Sequence, residues 1–253
     1  MGLTGQHALV TGGGSGIGAA VAIALAQGGA TVTICGRRRE PLDATAARQS
    51  GIHAELADVT DRKAMHDLYE RAEKARGPFA IVVANAGGAA SAPAEKVTAE
   101  LWSDTLAVNL TGAFFSVQPA LAGMRERGFG RIVFIASTAG LKGAAYVAPY
   151  VAAKHGVIGL VRALAAETVK HGITVNAVCP GYTETPMLDR AVERVAATTK
   201  RDAAEARAAL AAKNPQGRFI TPEEVAGAVL WLCGDASAGI TGQAIAISGG
   251  ETW

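Results

Sequence analysis

The chain has 253 residues, 49% of them hydrophobic, with a formal net charge of +2. That is enough apolar material for a full core, and with no Pro/Ser-rich or charged linker in sight residues 1–253 are read as one large domain. Basic residues are scattered apart from Arg37-Arg38-Arg39, which argues against a nucleic-acid binder, and no apolar run reaches the roughly 20 residues of a bilayer span.

In chain order, the opening "MGLTGQHALVTGG" has no basic region and no long apolar region, so no signal peptide is expected. Gln6 stands where a myristoylation pattern needs Ser or Thr. Then come seven short apolar runs: "HALVT" (7–11), "TVTIC" (31–35), "IHAEL" (52–56), "FAIVVA" (79–84), "RIVFIA" (131–136), "ITVNAV" (173–178) and "QAIAI" (243–247). Most are rich in β-branched residues, as strands buried on both faces should be. Segments with helical periodicity separate them. Residues 16–28 are one, and 61–76 are another, with Ala64, Met65, Leu68, Tyr69 and Ala72 on one side. Strand–helix alternation predicts an α/β fold, a doubly wound parallel sheet with helices on both faces. Residues 184–214, bracketed by Pro186 and Pro215, interrupt this rhythm ahead of the "TPEEVA" helix. Rich in Ala, Arg and Glu, they predict helix, and serve either as a lid over a ligand or as a solvated surface pair. Cys35, Cys179 and Cys233 are odd in number, widely spaced and without a CxxC. They are expected to be buried free thiols in a reducing cytoplasm, with neither disulfide nor metal site.

The turn "VTGGGSGIGAA" (10–20) follows the first strand and opens the first helix. Gly12, Gly16 and Gly18 suit a tight turn that lets main chain approach a pyrophosphate. The helix N-terminus adds unpaired N–H groups and Ser15 a hydroxyl. The spacing TGxxxGxG is not the common GxGxxG. With "NAG" at 85–87, then Asn109, Ser137, Tyr150, Lys154, Pro180-Gly181 and Thr185 in order, the chain resembles the classical short-chain dehydrogenase/reductase family from Leu3 to about Gly250. The resemblance implies a Rossmann-like domain with strand order 3-2-1-4-5-6-7, a nicotinamide cofactor and a homotetramer. It assigns Gly12, Gly14, Ser15, Gly16, Ile17 and Gly18 to the phosphate turn. Asp58, Val59, Asn85, Ala86 and Gly87 fall to the adenine side, and Pro180, Gly181, Thr183 and Thr185 to the nicotinamide side. Thr183 stands where relatives carry Ile or Val and is expected to act through its backbone. Asp58 could equally cap the next helix, as could Thr60 or Asp61.

An acidic residue after the second strand would bond a ribose 2′-hydroxyl, whereas arginine accommodates a 2′-phosphate. Here Gly36 is followed by Arg37 and Arg38, which predicts NADP(H), with NAD(H) as the alternative carrier.

A carbonyl reductase needs an acid for the ketone oxygen, a polarising donor and a proton route. Tyr150 and Lys154, four apart, share a helix face. A lysine ammonium beside a phenol should lower its pKa, and a drop of about 3 corresponds to about 4 kcal/mol. Ser137, just past the fifth strand, can donate to the substrate oxygen. The resemblance gives Asn109 a water linked to Lys154, and gives Lys154 the nicotinamide ribose as well. Tyr146 lies about two turns from Lys154 and is read as pocket wall or helix start.

Competing classes fare less well. No GxSxG frames a serine nucleophile. A dinucleotide sensor should have lost catalytic residues, and a structural subunit should show an exposed apolar face. The stretch "STAGLKGAAYVAPYVAAKHG" resembles those of β-ketoacyl thioester and polyketide ketoreductases and of 3-hydroxyacyl dehydrogenases, so a 3-oxoacyl thioester heads the substrates. Steroids, sugars and aryl ketones stay open. Over 186–213, Arg190, Arg194, Lys200, Arg201, Arg207 and Lys213 face Asp189, Glu193, Asp202 and Glu205. This faint basic bias fits a coenzyme A or carrier-protein partner and equally a solvated helix. Small Ala145, Ala148, Ala152 and Ala153, and the ring of Trp253, suggest a covering subunit.

Overall fold

The computed structural model describes residues 2–252. The seven apolar runs become strands β1 (His7–Thr11), β2 (Thr31–Gly36), β3 (Ile52–Leu56), β4 (Phe79–Ala84), β5 (Gly130–Ile135), β6 (Ile173–Pro180) and β7 (Ala244–Ile247). They form one sheet in the order β3-β2-β1-β4-β5-β6-β7, and every neighbouring pair is parallel. The central strands β1, β4, β5 and β6 are buried at every position, whereas the edges β3 and β7 are only partly so. The continuous apolar runs are thus those of strands covered on both faces.

Among the described residues, ten α-helices connect and cover the strands: α1 (Gly16–Gln27), α2 (Arg39–Ala46), α3 (Arg62–Arg76), α4 (Ala99–Leu106), α5 (Gly112–Val117), α6 (Ala120–Arg127), α7 (Ala148–Thr168), α8 (Pro186–Thr199), α9 (Ala203–Ala211) and α10 (Pro222–Cys233). Side chains alternate between two cores. Leu9, Val82, Ile132 and Phe134 join Met65, Leu68, Val157 and Val161 on one face. Ala8, Val10, Ile81 and Val133 join Val21, Leu25, Val225 and Val229 on the other. In α3, Asp61 is the cap, accepting from Lys63 N–H and Ala64 N–H, and Met65, Leu68, Tyr69 and Ala72 are the buried stripe.

Strand order reverses between β1 and its neighbour β4, opening a crevice at the carboxyl ends of the strands. There the chain delivers Gly12, Gly36, Asn85, Ser137 and Gly181. All three cysteines are free and buried.

Two expectations change, and a third is not reached. The stretch Ala99–Arg127 is apolar and long enough to resemble a membrane span, although no such run was expected. Its Val117, Ala120 and Met124 lie in the core against the sheet. Ala153 faces the core, while Ala145, Ala148 and Ala152 are exposed. Trp253 lies outside the described residues.

Candidate active site

The glycine turn is a close fit between two strand ends. Gly12 has φ +67°, and a Cβ there would lie 2.9 Å from both Ala86 Cα and Asn85 Nδ2. Asn85 Nδ2 donates to Thr11 O at 2.8 Å and Gly12 O at 3.3 Å. Thr11 Oγ1 accepts from the N–H groups of Asn85 and Ala86, each at 3.1 Å. The side chain of Asn85 is therefore spent on holding the turn, and its strand-end neighbour Thr11, which the motif reading passes over, completes the clamp. A side chain on Gly18 would strike the Gly12 carbonyl.

Ser15 precedes α1 in extended conformation, and its side chain makes no capping bond. Gly14 packs near Pro41, and Ile17 rests on the core. Gly16 meets α8: a Cβ there would be 2.9 Å from Thr185 Cγ2. Thr185 is the residue before α8 and also leaves its helix uncapped, its hydroxyl donating to Thr183 O at 3.2 Å. The Thr183 hydroxyl donates to Gly181 O at 3.0 Å. Its bridge to Ile220 uses the N–H groups of Glu184 and Ile220, not that of Thr183.

At the other end of the crevice Arg37 and Arg38 are exposed. Neither side chain makes a hydrogen bond or ion pair among the described residues, unlike Arg39, which reaches Ala54 O at 3.0 Å. The Asp58 carboxylate is turned onto Thr60, accepting from its N–H at 2.9 Å and its hydroxyl at 2.8 Å. Val59 points into the core against Gly112, which leaves only its main chain for a ligand. A turn that no Cβ can enter, uncapped Ser15 and two unpaired guanidinium groups form a donor set suited to a phosphorylated dinucleotide.

Asn109 and Lys154 meet at Gly87, and Tyr150 and Ser137 adjoin Lys154. A Cβ on Gly87 would lie 2.7 Å from Asn109 Oδ1 and 3.7 Å from Lys154 Nζ, so this glycine lies beside both side chains. Asn109 is buried in a π-helical turn, Ala107–Thr111, a distortion common at functional sites. Its Nδ2 donates to Thr105 O and Gly88 O, both at 2.9 Å, and its Oδ1 accepts from Gly88 N–H at 3.2 Å.

Ser137 leaves β5 just after Ala136, whose N–H donates to Val178 O at 2.8 Å. The Ser137 hydroxyl oxygen accepts from Ala139 N–H at 3.1 Å, and Ser137 stands close enough to the Tyr150 hydroxyl to favour its ionisation. Gly140 allows this segment to press on α7, since a Cβ there would lie 2.8 Å from Lys154 O. Lys154, 4% exposed, donates from Nζ to Ile135 O at 2.8 Å, and that ammonium is 5.5 Å from the Tyr150 ring centre.

Burial governs both ionisations. It pushes the Tyr150 hydroxyl up to about 12, partly offset by Ser137, and it lowers Lys154 to about 8. The expected lowering of Tyr150 by its lysine is thus not a property of the protein alone. Desolvation outweighs the cation, because Lys154 gives up its proton before Tyr150 does. Cys179, expected only as a buried free thiol, adjoins this group, and burial raises its thiol to about 11 while Ser137 and Lys154 pull it down.

Tyr146 lies in the turn two residues before α7. It is 66% exposed, has φ 66°, and accepts at its main-chain O from Ala92 N–H at 2.8 Å. Far from the crevice, His66, Asp67 and Glu70 could approach one ion on α3, but Asp67 is already paired with Lys63 at 2.7 Å.

A family model described as short chain dehydrogenase matches residues 6–196. An acetoacetyl-CoA reductase of Rhizobium meliloti is 41% identical over 96% of this chain and 97% of its own. A D-beta-hydroxybutyrate dehydrogenase of Cupriavidus necator is 36% identical over 98% of each. The crystal structure of a single-residue variant of actinorhodin polyketide ketoreductase with NADPH superposes with a TM-score of 0.95, at 39% identity and 97% coverage of both chains.

Proposed function

This chain belongs to the short chain dehydrogenase family, and from that premise we propose that it interconverts a ketone and a secondary alcohol with NADP(H), acting on a 3-oxoacyl or 3-hydroxyacyl thioester or a related ketone. The grouping of Asn109 and Lys154 at Gly87, with Tyr150 beside Lys154 and Ser137 beside Tyr150, carries the proposal. The names of the acetoacetyl-CoA reductase and the polyketide ketoreductase support the ketone and thioester reading. Unpaired Arg37 and Arg38, and the NADPH in that ketoreductase structure, support the 2′-phosphate.

When bound, the nicotinamide supplies the hydride. Main-chain N–H groups at the start of α1, with Ser15, would hold the pyrophosphate, Arg37 and Arg38 the 2′-phosphate, and Thr183 and Thr185 the carboxamide end. Tyr150, held near 12, keeps its proton at neutral pH and so rests as the acid the ketone oxygen needs. Ser137 turns its one hydroxyl proton to that oxygen as a second donor, beside Tyr150. Lys154, near 8, is mostly cationic at pH 7 and favours the phenolate left after proton transfer. Asn109 fixes Gly88 and thereby the wall beside Lys154, the side from which a water would reprotonate it. The 184–214 segment serves as a lid. The exposed faces of α4 and α7, with Trp102, Ala148 and Ala152, serve a homo-oligomer in the cytoplasm.

The test is NADPH oxidation over a ketone panel that includes acetoacetyl-CoA and bulky cyclic ketones. Turnover with at least one ketone is expected. Dinucleotide binding without turnover on any ketone would replace this reading with a sensor.

A further inference from the structure

Lys142 stands five residues after Ser137, on the turn between β5 and α7. Its Nζ donates to the main-chain O of Glu251 at 3.1 Å and pairs with Glu251 Oε1, also at 3.1 Å. Glu251 comes from the other end of the sequence, four residues past β7. Its side chain is only 9% exposed, against 45% for Lys142. The second carboxylate oxygen, Oε2, lies against the turn after β6: a Cβ on Gly181 would be 2.8 Å from it. Only a residue without a side chain lets a carboxylate rest there.

The tail that carries Glu251 is anchored. Glu251 N–H donates to Ser248 O at 3.2 Å, and the hydroxyls of Ser248 and Thr252 are 3.3 Å apart. Gly249, at φ +60°, packs directly on the buried side chain of Asn214. The ion pair is therefore a fixed part of the cleft wall beside Gly181, not a loose surface contact.

A substrate with a carboxylate next to its ketone needs a free cation where it lies. The ammonium at this position is already bound, and the group beside it is an anion. Two further cations on the surrounding segments are also engaged: Lys154 with Ile135 O at 2.8 Å, and Arg207 with Glu184 at 3.0 Å. Like charges placed together exclude a partner more strongly than a missing contact does.

We infer that the Lys142–Glu251 pair makes this cleft selective for ketones whose neighbouring carbonyl is uncharged, as in a thioester or ester, over free 3-oxo acids. The inference rests on the ketone-reductase reading above and narrows it. Relatives of similar identity are named for a thioester and for a free hydroxy acid, so the comparison of sequences does not choose between them.

The test compares methyl acetoacetate with acetoacetate, two ketones that share a four-carbon acyl skeleton and differ in charge, with acetoacetyl-CoA measured alongside. In the wild type, kcat/KM with NADPH is expected to favour the ester by about tenfold or more, a difference of about 1.4 kcal/mol. Glu251→Gln frees Lys142 and should raise the acetoacetate value about tenfold relative to the ester. Lys142→Gln added to that variant should remove the gain. Acetoacetate turned over as well as the ester by the wild type overturns the inference and leaves the ketone reductase standing, even if Glu251→Gln fails to fold. An unchanged ratio in a folded Glu251→Gln overturns it too. No NADPH oxidation with any of the three substrates, or with any ketone of the panel, removes the functional reading and this one with it.

Discussion

The β1–α1 turn and the 184–214 segment face each other across one crevice, touching where Gly16 meets Thr185, yet they are held by different means. The turn is fixed by main chain: Asn85 bonds two carbonyls of it, Thr11 bonds two N–H groups opposite, and Gly12 and Gly18 leave no room for a Cβ. The segment forms a small separate core of Leu188, Val192, Ala206 and Leu210 with Phe219 just beyond it. Its polar ties, Arg207 to Glu184 and to Asp189, are about half exposed, and such pairs are worth about 0–1 kcal/mol. On the proposed function, chemistry common to all substrates would sit on a rigid support, and substrate choice on a part that tolerates change. Variants on the first side should act alike on every ketone, and variants on the second should act ketone by ketone.

The largest effect expected is that of Tyr150→Phe. Losing the acid should cut kcat by about 10²–10⁴ by the same factor for small and bulky ketones, with dinucleotide affinity little changed in a fluorescence titration. A loss confined to some ketones would break the comparison.

Lys154 comes next, and its two effects have opposite signs. Its folded pKa is lowered from 10.5 to about 8 by burial, so below pH 8 the folded protein carries a charge that the unfolded chain holds more cheaply. The cost is about 3 kcal/mol, and it fades as pH rises from about 8 to 10.5. Above pH 10 Tyr150 works the other way, since the folded state keeps a proton up to about 12 that the unfolded chain has released. Lys154→Met should therefore raise the melting temperature of the ligand-free protein at pH 7 while abolishing most turnover. Ketone reduction in the wild type should decline as pH passes about 8. A melting temperature that falls in Lys154→Met would mean that the bond to Ile135 O outweighs the burial cost.

These values also mark what a sequence can and cannot tell. The strands were legible because they are continuous β-branched runs, and their limits differ by at most two residues. The largest difference is in β6, which runs on to Pro180 because Cys179 and Pro180 pair with Ala246 and Ile247 of β7. Ser137, Tyr150 and Lys154 were legible as a set, from spacing and resemblance. Their ionisation was not, because desolvation depends on what packs over them. The π-turn at Asn109 has no local signal either. It goes with a bond to Gly88, 21 residues away. The Lys142–Glu251 pair spans 109 positions, and neither residue type announces the other.

Smaller in effect is the double variant Arg37→Gln/Arg38→Gln. Charge-assisted hydrogen bonds are worth about 1.5–3 kcal/mol, so KM for NADPH should rise by about tenfold or more, with KM for NADH nearly unmoved. Because the turn side serves every substrate, that rise should be the same with each ketone. A wild-type enzyme that prefers NADH would remove the cofactor assignment altogether.

Arg207→Ala should have the smallest effect and divide the two regions most finely. The guanidinium joins α9 to the start of α8: Nη2 is 3.0 Å from Glu184, Nη1 is 3.7 Å from Asp189, and the group lies 4.9 Å above the Phe219 ring. With all these carboxylates half exposed or more, its removal should lower stability by no more than about 1 kcal/mol. Glu184 directly precedes Thr185, the residue that abuts the glycine turn, so the outcome reports where the boundary runs. A few-fold rise in KM for bulky ketones, with small ketones and dinucleotide affinity unaffected, assigns the whole 184–214 segment to substrate choice. An equal loss on every ketone together with weaker NADPH binding would move Glu184 and Thr185 to the turn's side, and the rigid support would then reach across the crevice into α8.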